Sequence, residues 1–355
     1  VNEYRALLRA LIAGDDLPEQ AMTFAVGQVM DGVWSSVQSG AFLAALATKG
    51  ESAAEVVGAA EAMRARALHV EHDLPLVVDT CGTGGDGAGT INVSTAAGFV
   101  LAGCGLHVAK HGNRAASSAC GSADVLEASG IALDVTPEVA RRQLEAERFA
   151  FLFAPAYHPA MKEVASVRRE LGVRTIFNIL GPLANPARAT HQVVGVATRA
   201  HLELVGTALA ALGTRAAAVV HAESGIDEVA GDVPTHVYQF ARSGVTHWVL
   251  DPAEFGVVAP ADALRGGSAA VNAAALRAIL GGERSPRADV VALNAGLALV
   301  VAERATGLAE GLALARDALA NGAALAVFER LRGAAAANFT VTVLPDSYAS
   351  KESSR

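Results

Sequence analysis

The sequence predicts an α/β protein in which a small all-helical domain joins a larger domain built on a mostly parallel central sheet. Three observations carry this. Residues 1 to about 70 show helical patterning with no strand signal. From Leu74 onward, short β-rich runs alternate with helical stretches, the pattern of strands joined by crossover helices. Residues 158–186 break that alternation with more helix and are assigned to the N-terminal helices. The predicted division is therefore 1–73 with 158–188 for the helical domain, and 74–157 with 189–332 for the α/β domain. Residues 333–355 form a tail outside both.

In chain order, Asp16 is placed to cap a helix over 17–30, and Ser52 with Glu55 forms a capping box before VVGAAEAMRARA. Leu76-Val77-Val78 reads as a strand leading into a glycine loop, and Ile91 to Ala97 as a helix entry. Leu106 to Ala109 is a second short strand, followed by the loop Lys110–Arg114 and a helix capped by Ser122. Thr136-Pro137-Glu138 starts a helix: a capping hydroxyl, a proline whose missing N–H costs nothing there, and an acid at the positive end of the dipole. Phe149–Phe153, Gln192–Val196 and Ala216–Val220 read as strands. Thr235–Phe240 and Thr246–Leu250 read as a hairpin or antiparallel edge. From about 268 to 332 the chain is Ala-rich and reads as a packed helix pair.

Bulk properties narrow the function. Of 355 residues 52% are hydrophobic and 18% charged, so a large core is expected. A net charge of −8, with no basic run, argues against a nucleic-acid binder. Three cysteines, Cys81, Cys104 and Cys120, lack metal-ligand spacing and form no disulfide framework, which suits a reducing cytoplasm. The N-terminal segment is amphipathic and charged, unlike a signal peptide, and no run reaches the roughly 18 apolar residues of a membrane span.

The chemistry concentrates in residues 79–127. Gly82-Thr83-Gly84-Gly85-Asp86-Gly87 formally fits G-x-G-x-x-G, and Asn92, Ser94 and Thr95 follow at a helix start. Glycines allow close backbone approach, and a helix N-terminus adds free N–H groups, so an anion is favoured, most often phosphate. Asp86 inside the loop would repel a bare pyrophosphate. It makes sense beside a divalent cation. Lys110, one of four lysines, opens the second loop and suits a point-charge contact to phosphate. Asp227-Glu228 follows a strand and reads either as a solvated turn or as a magnesium site, since Mg²⁺ takes one or two carboxylates and completes its shell with water and phosphate. Arg168 and Arg169 share a helix with Glu163 and Glu170. Periodicity does not choose which of them turns inward to hold a carboxylate. His158-Pro159 reads as a helix-entry turn.

Taken together, GTGGD, then NVST, KHGNRAASS, HPAMKEVASVRRELGVRTIFNILGPLANP and the acidic pair make the chain resemble the anthranilate phosphoribosyltransferases, from about residue 5 to 330. The resemblance implies a nucleoside phosphorylase/phosphoribosyltransferase-like fold and an enzyme of tryptophan biosynthesis. It implies transfer of phosphoribosyl from phosphoribosyl pyrophosphate to the amine of anthranilate, and a homodimer joined through the helical domain. It also implies Mg²⁺, two ions per active site, with Ser94, Asp227 and Glu228 as ligands. Carried over by motif, Gly82, Gly85, Asp86, Thr90, Asn92, Val93, Ser94 and Thr95 line the phosphoribosyl pyrophosphate site. Lys110, His111, Gly112, Asn113, Arg114, Ala115, Ala116, Ser117, Ser118 and Ser122 complete it. Asn113 and Arg168 hold anthranilate, with Gly82, His111 and His158 nearby, and Lys110 and Glu228 act electrostatically. Where many relatives carry a basic residue and a serine, this chain has Ala119-Cys120.

Overall fold

A computed structural model of the chain describes residues 2–115 and 119–336. Four helices come first: α1 (Asn2–Ala13), α2 (Glu19–Met30), α3 (Ser36–Lys49) and α4 (Ala53–Arg64). The Ser52–Glu55 capping box forms as predicted, and Ser35 with Gln38 makes a second one on α3. Asp16 does not cap α2. The helix begins at Glu19 behind Pro18, and the Asp16 carboxylate instead takes the Lys49 ammonium at 2.5 Å. That ammonium also meets Glu55 at 2.9 Å, and Glu55 accepts the Leu17 N–H at 2.9 Å. A long-range ion pair thus outcompetes the local cap.

The α/β part follows as β1 (Val78–Gly82), α5 (Val93–Gly103), β2 (Val108–Gly112), α6 (Ser122–Ala128), α7 (Pro137–Glu147) and β3 (Phe149–Phe153). Thr136 caps α7 as its sequence predicts. The short α8 (Ala154–Tyr157) and α9 (Met161–Leu171) come next, then 3₁₀ turns over Ile176–Asn178 and Gly181–Leu183. The sheet resumes with β4 (His191–Gly195), α10 (His201–Ala211), β5 (Ala216–Ala222) and the hairpin β6 (Thr235–Ala241) and β7 (Gly244–Leu250). The Ala-rich C-terminal part is four helices, not a pair: α11 (Ala269–Leu280), α12 (Pro286–Val301), α13 (Leu308–Ala320) and α14 (Ala323–Ala336). Residues 333–336 therefore continue α14, and 337–355 lie outside the described residues.

Seven strands lie in the order β3-β2-β1-β4-β5-β6-β7, the first five parallel and the last two antiparallel. Successive residues of a strand face opposite ways, and the sequence uses both faces. Val193 and Ala218 face α5 and α11–α14, while Val194 and Ala217 face α10 and the N-terminal helices. Val164 and Val167 of α9 share that second core with Met22, Phe42 and Leu46 of α2 and α3. Arg64, at the end of α4, fastens the helical part to the sheet side: Nη1 donates to Leu212 O beyond α10 at 3.0 Å, while Nε donates to Leu183 O within the helical part at 2.6 Å.

Candidate active site

The first strand lies in the middle of the sheet. From β1 the chain builds outward through β2 to β3, then returns to the other side of β1 and continues through β4 to β5. The crevice between β1 and β4 at their carboxyl ends is thus the topological switch point, where α/β sheets bind ligands. The glycine loop leaves β1 at this point. Gly84, Gly85, Gly87 and Gly89 all hold positive φ, from 63° to 78°, which side chains resist.

Asp227 sits over the switch point itself. A Cβ on Gly82 would come within 2.9 Å of Asp227 Cγ, and one on Gly195 within 3.0 Å of Asp227 Cα, so neither position accepts a side chain. The Asp227 carboxylate accepts the Gly84 N–H at 2.7 Å. Glu228 accepts the Ser94 N–H at 3.3 Å, so the start of α5 is capped from 134 residues away. Its own N-cap residue, Asn92, makes no capping bond. Asn92 donates instead to Cys120 O at 3.1 Å and accepts from Asn272 at 2.9 Å, tying three segments together. Both acids are only partly exposed, which rules out the solvated-turn reading. Burial pushes both carboxyls up, and each has a charged neighbour that adds to the rise: Asp86 for Asp227, and Asp227 for Glu228. Asn294 of α12 holds the next residue by both main-chain groups, Val229 N at 3.0 Å and Val229 O at 2.9 Å.

The strand β2 runs to Gly112, so Lys110 and His111 are strand residues rather than the start of a loop. Periodicity missed this because their polar ends find partners on β1 and beyond. Among register pairs, β1 and β2 share only Val78↔Val108, whereas β1 with β4 and β2 with β3 each share five. Beyond Val78 the two strands part, and side chains satisfy the freed backbone. Lys110 Nζ donates to Thr80 O and to Ser94 Oγ, the latter at 3.2 Å. Asp79 accepts the His111 N–H at 3.2 Å and the Asn185 amide at 2.8 Å, and Asn185 also donates to Ala109 O at 2.8 Å. Lys110 is 1% exposed, so its ammonium does not project into the crevice. It lies under the first turn of α5, and its charge reaches the crevice through Ser94.

His111 and His158 lie side by side, ring centroids 5.1 Å apart. His111 Nδ1 donates to Gly181 O at 2.9 Å, leaving Nε2 unprotonated and without a partner among the described residues. Burial holds both rings neutral, His111 at about 4 and His158 at about 3. Arg168 is half-buried, 6.0 Å over the Phe177 ring, and burial pushes its guanidinium down, while Arg169 is exposed. Asn113 is exposed, its carbonyl accepting from Ala123 N at 3.1 Å.

Other predicted residues are placed differently than expected. Arg114 has its side chain turned away onto α6, paired with Asp124 at 3.0 Å and Glu127 at 2.7 Å. Ser122 is the first residue of α6 rather than its cap. Gly121 holds the cap position, its N–H bound by Asp124 at 2.9 Å, and Asp124 also accepts from Ala115 N. Ser122 Oγ instead lies against Gly112, where a Cβ would come within 2.7 Å of it. Thr90 pairs with Arg265, and Val93 N–H is bound to Ile91 O. Thr95 is fully buried, its hydroxyl without a partner among the described residues. The expectations for Ala116, Ser117 and Ser118 lie outside the described residues. Sequence reasoning missed Asp79, Asn185, Gly195, Asn294 and Arg174. The one local hint was Arg174's place just beyond the helix that carries Arg168.

No described group of three or more His, Cys, Asp or Glu forms a self-sufficient metal cage. A partly buried acidic pair that forms no ion pair among the described residues fits Mg²⁺ that shares its shell with a phosphorylated substrate.

Residues 5–67 match the glycosyl transferase family, helical bundle domain, and residues 74–325 the glycosyl transferase family, a/b domain. The chain is 49% identical over 315 residues to the anthranilate phosphoribosyltransferase of Chloroflexus aggregans, covering 88% of this chain and 92% of that one. It is 50% identical over 313 residues to that of Symbiobacterium thermophilum, again over 88% and 92%. The crystal structure of the Thermus thermophilus enzyme of that name superposes with a TM-score of 0.88 at 43% identity, covering 93% of this chain and 99% of that one. The Saccharomyces cerevisiae enzyme in complex with PRPP and Mg superposes at 0.87 and 25% identity, over 94% and 98%.

Proposed function

The chain belongs to the anthranilate phosphoribosyltransferases, and on that premise we propose how its crevice divides the work of the reaction. The enzyme transfers the phosphoribosyl group of phosphoribosyl pyrophosphate to the amine of anthranilate, giving N-(5-phosphoribosyl)anthranilate and pyrophosphate, a step of tryptophan biosynthesis. The observation that carries the assignment of roles is the seat of Asp227 on Gly82, Gly84 and Gly195, which joins an acidic pair to an anion-binding loop at the switch point.

In this reading the loop amides and the first turn of α5 hold the diphosphate, supported by Lys110 from beneath. Asp227 and Glu228, with Ser94, hold Mg²⁺, two ions per active site, whose charge makes pyrophosphate a better leaving group. The half-buried Arg168 pairs with the anthranilate carboxylate, and Asn113 orients the ring. His111 packs against His158 beneath this position, its Nε2 buried. A buried ring held near pKa 4 is a weak base, so it serves as a neutral wall for the nucleophile rather than stripping a proton from it. Orientation of a bound nucleophile is worth up to about 7–11 kcal/mol in favourable systems.

We also infer the domain division 1–73 with 158–188 against 74–157 with 189–332, supported by the shared core of α9 with α2 and α3. A homodimer through the helical part is supported by exposed Val37 on a groove of about 270 Å³ that Gly40, Val167 and Leu171 also line. Three free thiols support a reducing, cytoplasmic setting, and no single described helix is long and apolar enough to cross a membrane.

The deciding experiment follows loss of anthranilate fluorescence with phosphoribosyl pyrophosphate, with and without Mg²⁺. Magnesium-dependent loss is expected. Well-folded protein that consumes no anthranilate would overturn the reading.

A further inference from the structure

Arg174 lies between α9 and the 3₁₀ turn at Ile176, rooted in the helical part by the buried Thr175, Ile176 and Phe177. Its own side chain is exposed and reaches to the glycine loop. Nη1 lies 3.4 Å from Gly84 O and 3.4 Å from Gly85 O, and Nη2 lies 3.5 Å from Gly84 O. These are long, shared contacts of a cation with two carbonyl dipoles. The guanidinium lies so close above Gly85 that a Cβ there would reach Arg174 Cζ at 3.3 Å and overlap Nη1.

Both peptides are trans, so each N–H points away from its carbonyl. Carbonyls drawn to Arg174 therefore turn the N–H groups of Gly85 and Asp86 to the opposite side. Neither N–H is bound to any described residue, whereas the neighbouring Gly84 N–H is held by Asp227. Successive backbone N–H groups in a glycine turn form a concave amide surface that takes anions, and the positive φ of Gly84 and Gly85 makes such a turn here. Such a surface pays an ordering cost on binding unless something fixes it beforehand.

We propose that Arg174 is a positioning residue for the donor substrate: from the helical part it fixes the Gly84 and Gly85 peptides so that the free amides face the diphosphate. This rests on the proposed reaction. It also links the two parts of the molecule at the loop, away from the fastening at Arg64. Arg174 acts on the loop before any ligand arrives. A direct contact to phosphate would leave no mark on the free protein.

The test compares wild type with Arg174→Ala and Arg174→Lys. In Arg174→Ala the KM for phosphoribosyl pyrophosphate rises about tenfold, the range of one hydrogen bond to a charged group. The KM for anthranilate and kcat stay within about twofold, and the melting temperature does not move. In the ligand-free variant the ¹⁵N order parameters of Gly85 and Asp86, whose amides share peptides with the two carbonyls, fall from about 0.85 toward 0.6. Arg174→Lys, with a point charge in place of a fork, restores part of both effects. Unchanged donor KM overturns the proposal, and so do unchanged order parameters, which would make Arg174 a direct phosphate ligand. A parallel rise of both KM values with a lower melting temperature also overturns it, as a general structural effect. If wild type itself consumes no anthranilate, the reaction is wrong, and the order parameters still decide whether Arg174 holds the loop.

Discussion

The Asp79 carboxylate accepts the His111 N–H at 3.2 Å across the gap where β1 and β2 have stopped pairing. It also binds the Asn185 amide, so one buried acid holds a strand that carries His111 and a turn from the helical segment. Burial raises Asp79, and Lys110 opposes that rise. Asp79→Ala leaves two buried donors unmet and should cost about 2–4 kcal/mol, read as a shifted urea midpoint at unchanged slope. Unchanged stability would show that the gap has other support.

The paired rings of His111 and His158 predict acid sensitivity. Their folded pKa values, about 4 and about 3, lie below the ordinary 6.5 because burial disfavours the charged ring. The unfolded chain therefore binds protons between about pH 6.5 and 4 that the folded chain refuses. Stability is full above that window and falls as the pH drops through it, by up to about 1.4 kcal/mol per pH unit for each ring. Urea titrations of wild type and His158→Asn at pH 7, 6 and 5 check this. The variant should lose about half the slope, and equal slopes would refute the assignment.

Glu228 predicts a trade of stability against activity. Its carboxyl is raised by burial and by Asp227, so the charged form burdens the ligand-free fold as the pH rises past the ordinary carboxylate range. Gln keeps the Oε1 acceptor for Ser94 N–H without the charge. Glu228→Gln should melt at least about 2 °C higher than wild type at pH 8, less so at pH 5, while losing at least about tenfold in activity. A variant that is both less stable and fully active would contradict the proposed magnesium role.

The two neighbouring arginines should behave oppositely. Arg168 is half-buried on Phe177 and Arg169 is exposed. Arg168→Ala should raise the KM for anthranilate about 10- to 100-fold, the worth of a charged pair. Arg169→Ala should stay within about twofold. Steady-state kinetics at saturating donor separate the two.

The elements legible in the sequence were those whose cause is local. Thr136-Pro137-Glu138 carries its own cap, and Phe149–Phe153 is apolar along its whole length because both its faces are buried. The hairpin at residues 235–250 was legible too, as two β-rich runs joined by a short turn. What failed depends on distant partners. Lys110 and His111 read as loop residues because nothing nearby in sequence shows that Thr80, Ser94 and Gly181 will receive them. Asp16 looked like a cap because Lys49 is 33 residues away. The glycine loop and the acidic pair were visible as residue types. Their meeting at Gly82 and Gly195 was not, since a missing Cβ shows its purpose only once Asp227 is seated there.

Arg64 makes its two bonds to main-chain oxygens, Leu183 O and Leu212 O, and to no side chain at either place. Every residue type presents the same carbonyl. Sequence drift at 183 and 212 can therefore change bulk and polarity without loosening this anchorage, provided the backbone path is kept. The whole liability falls on one codon. A lineage could rewrite both receiving segments and keep the joint, yet lose it by a single change at Arg64.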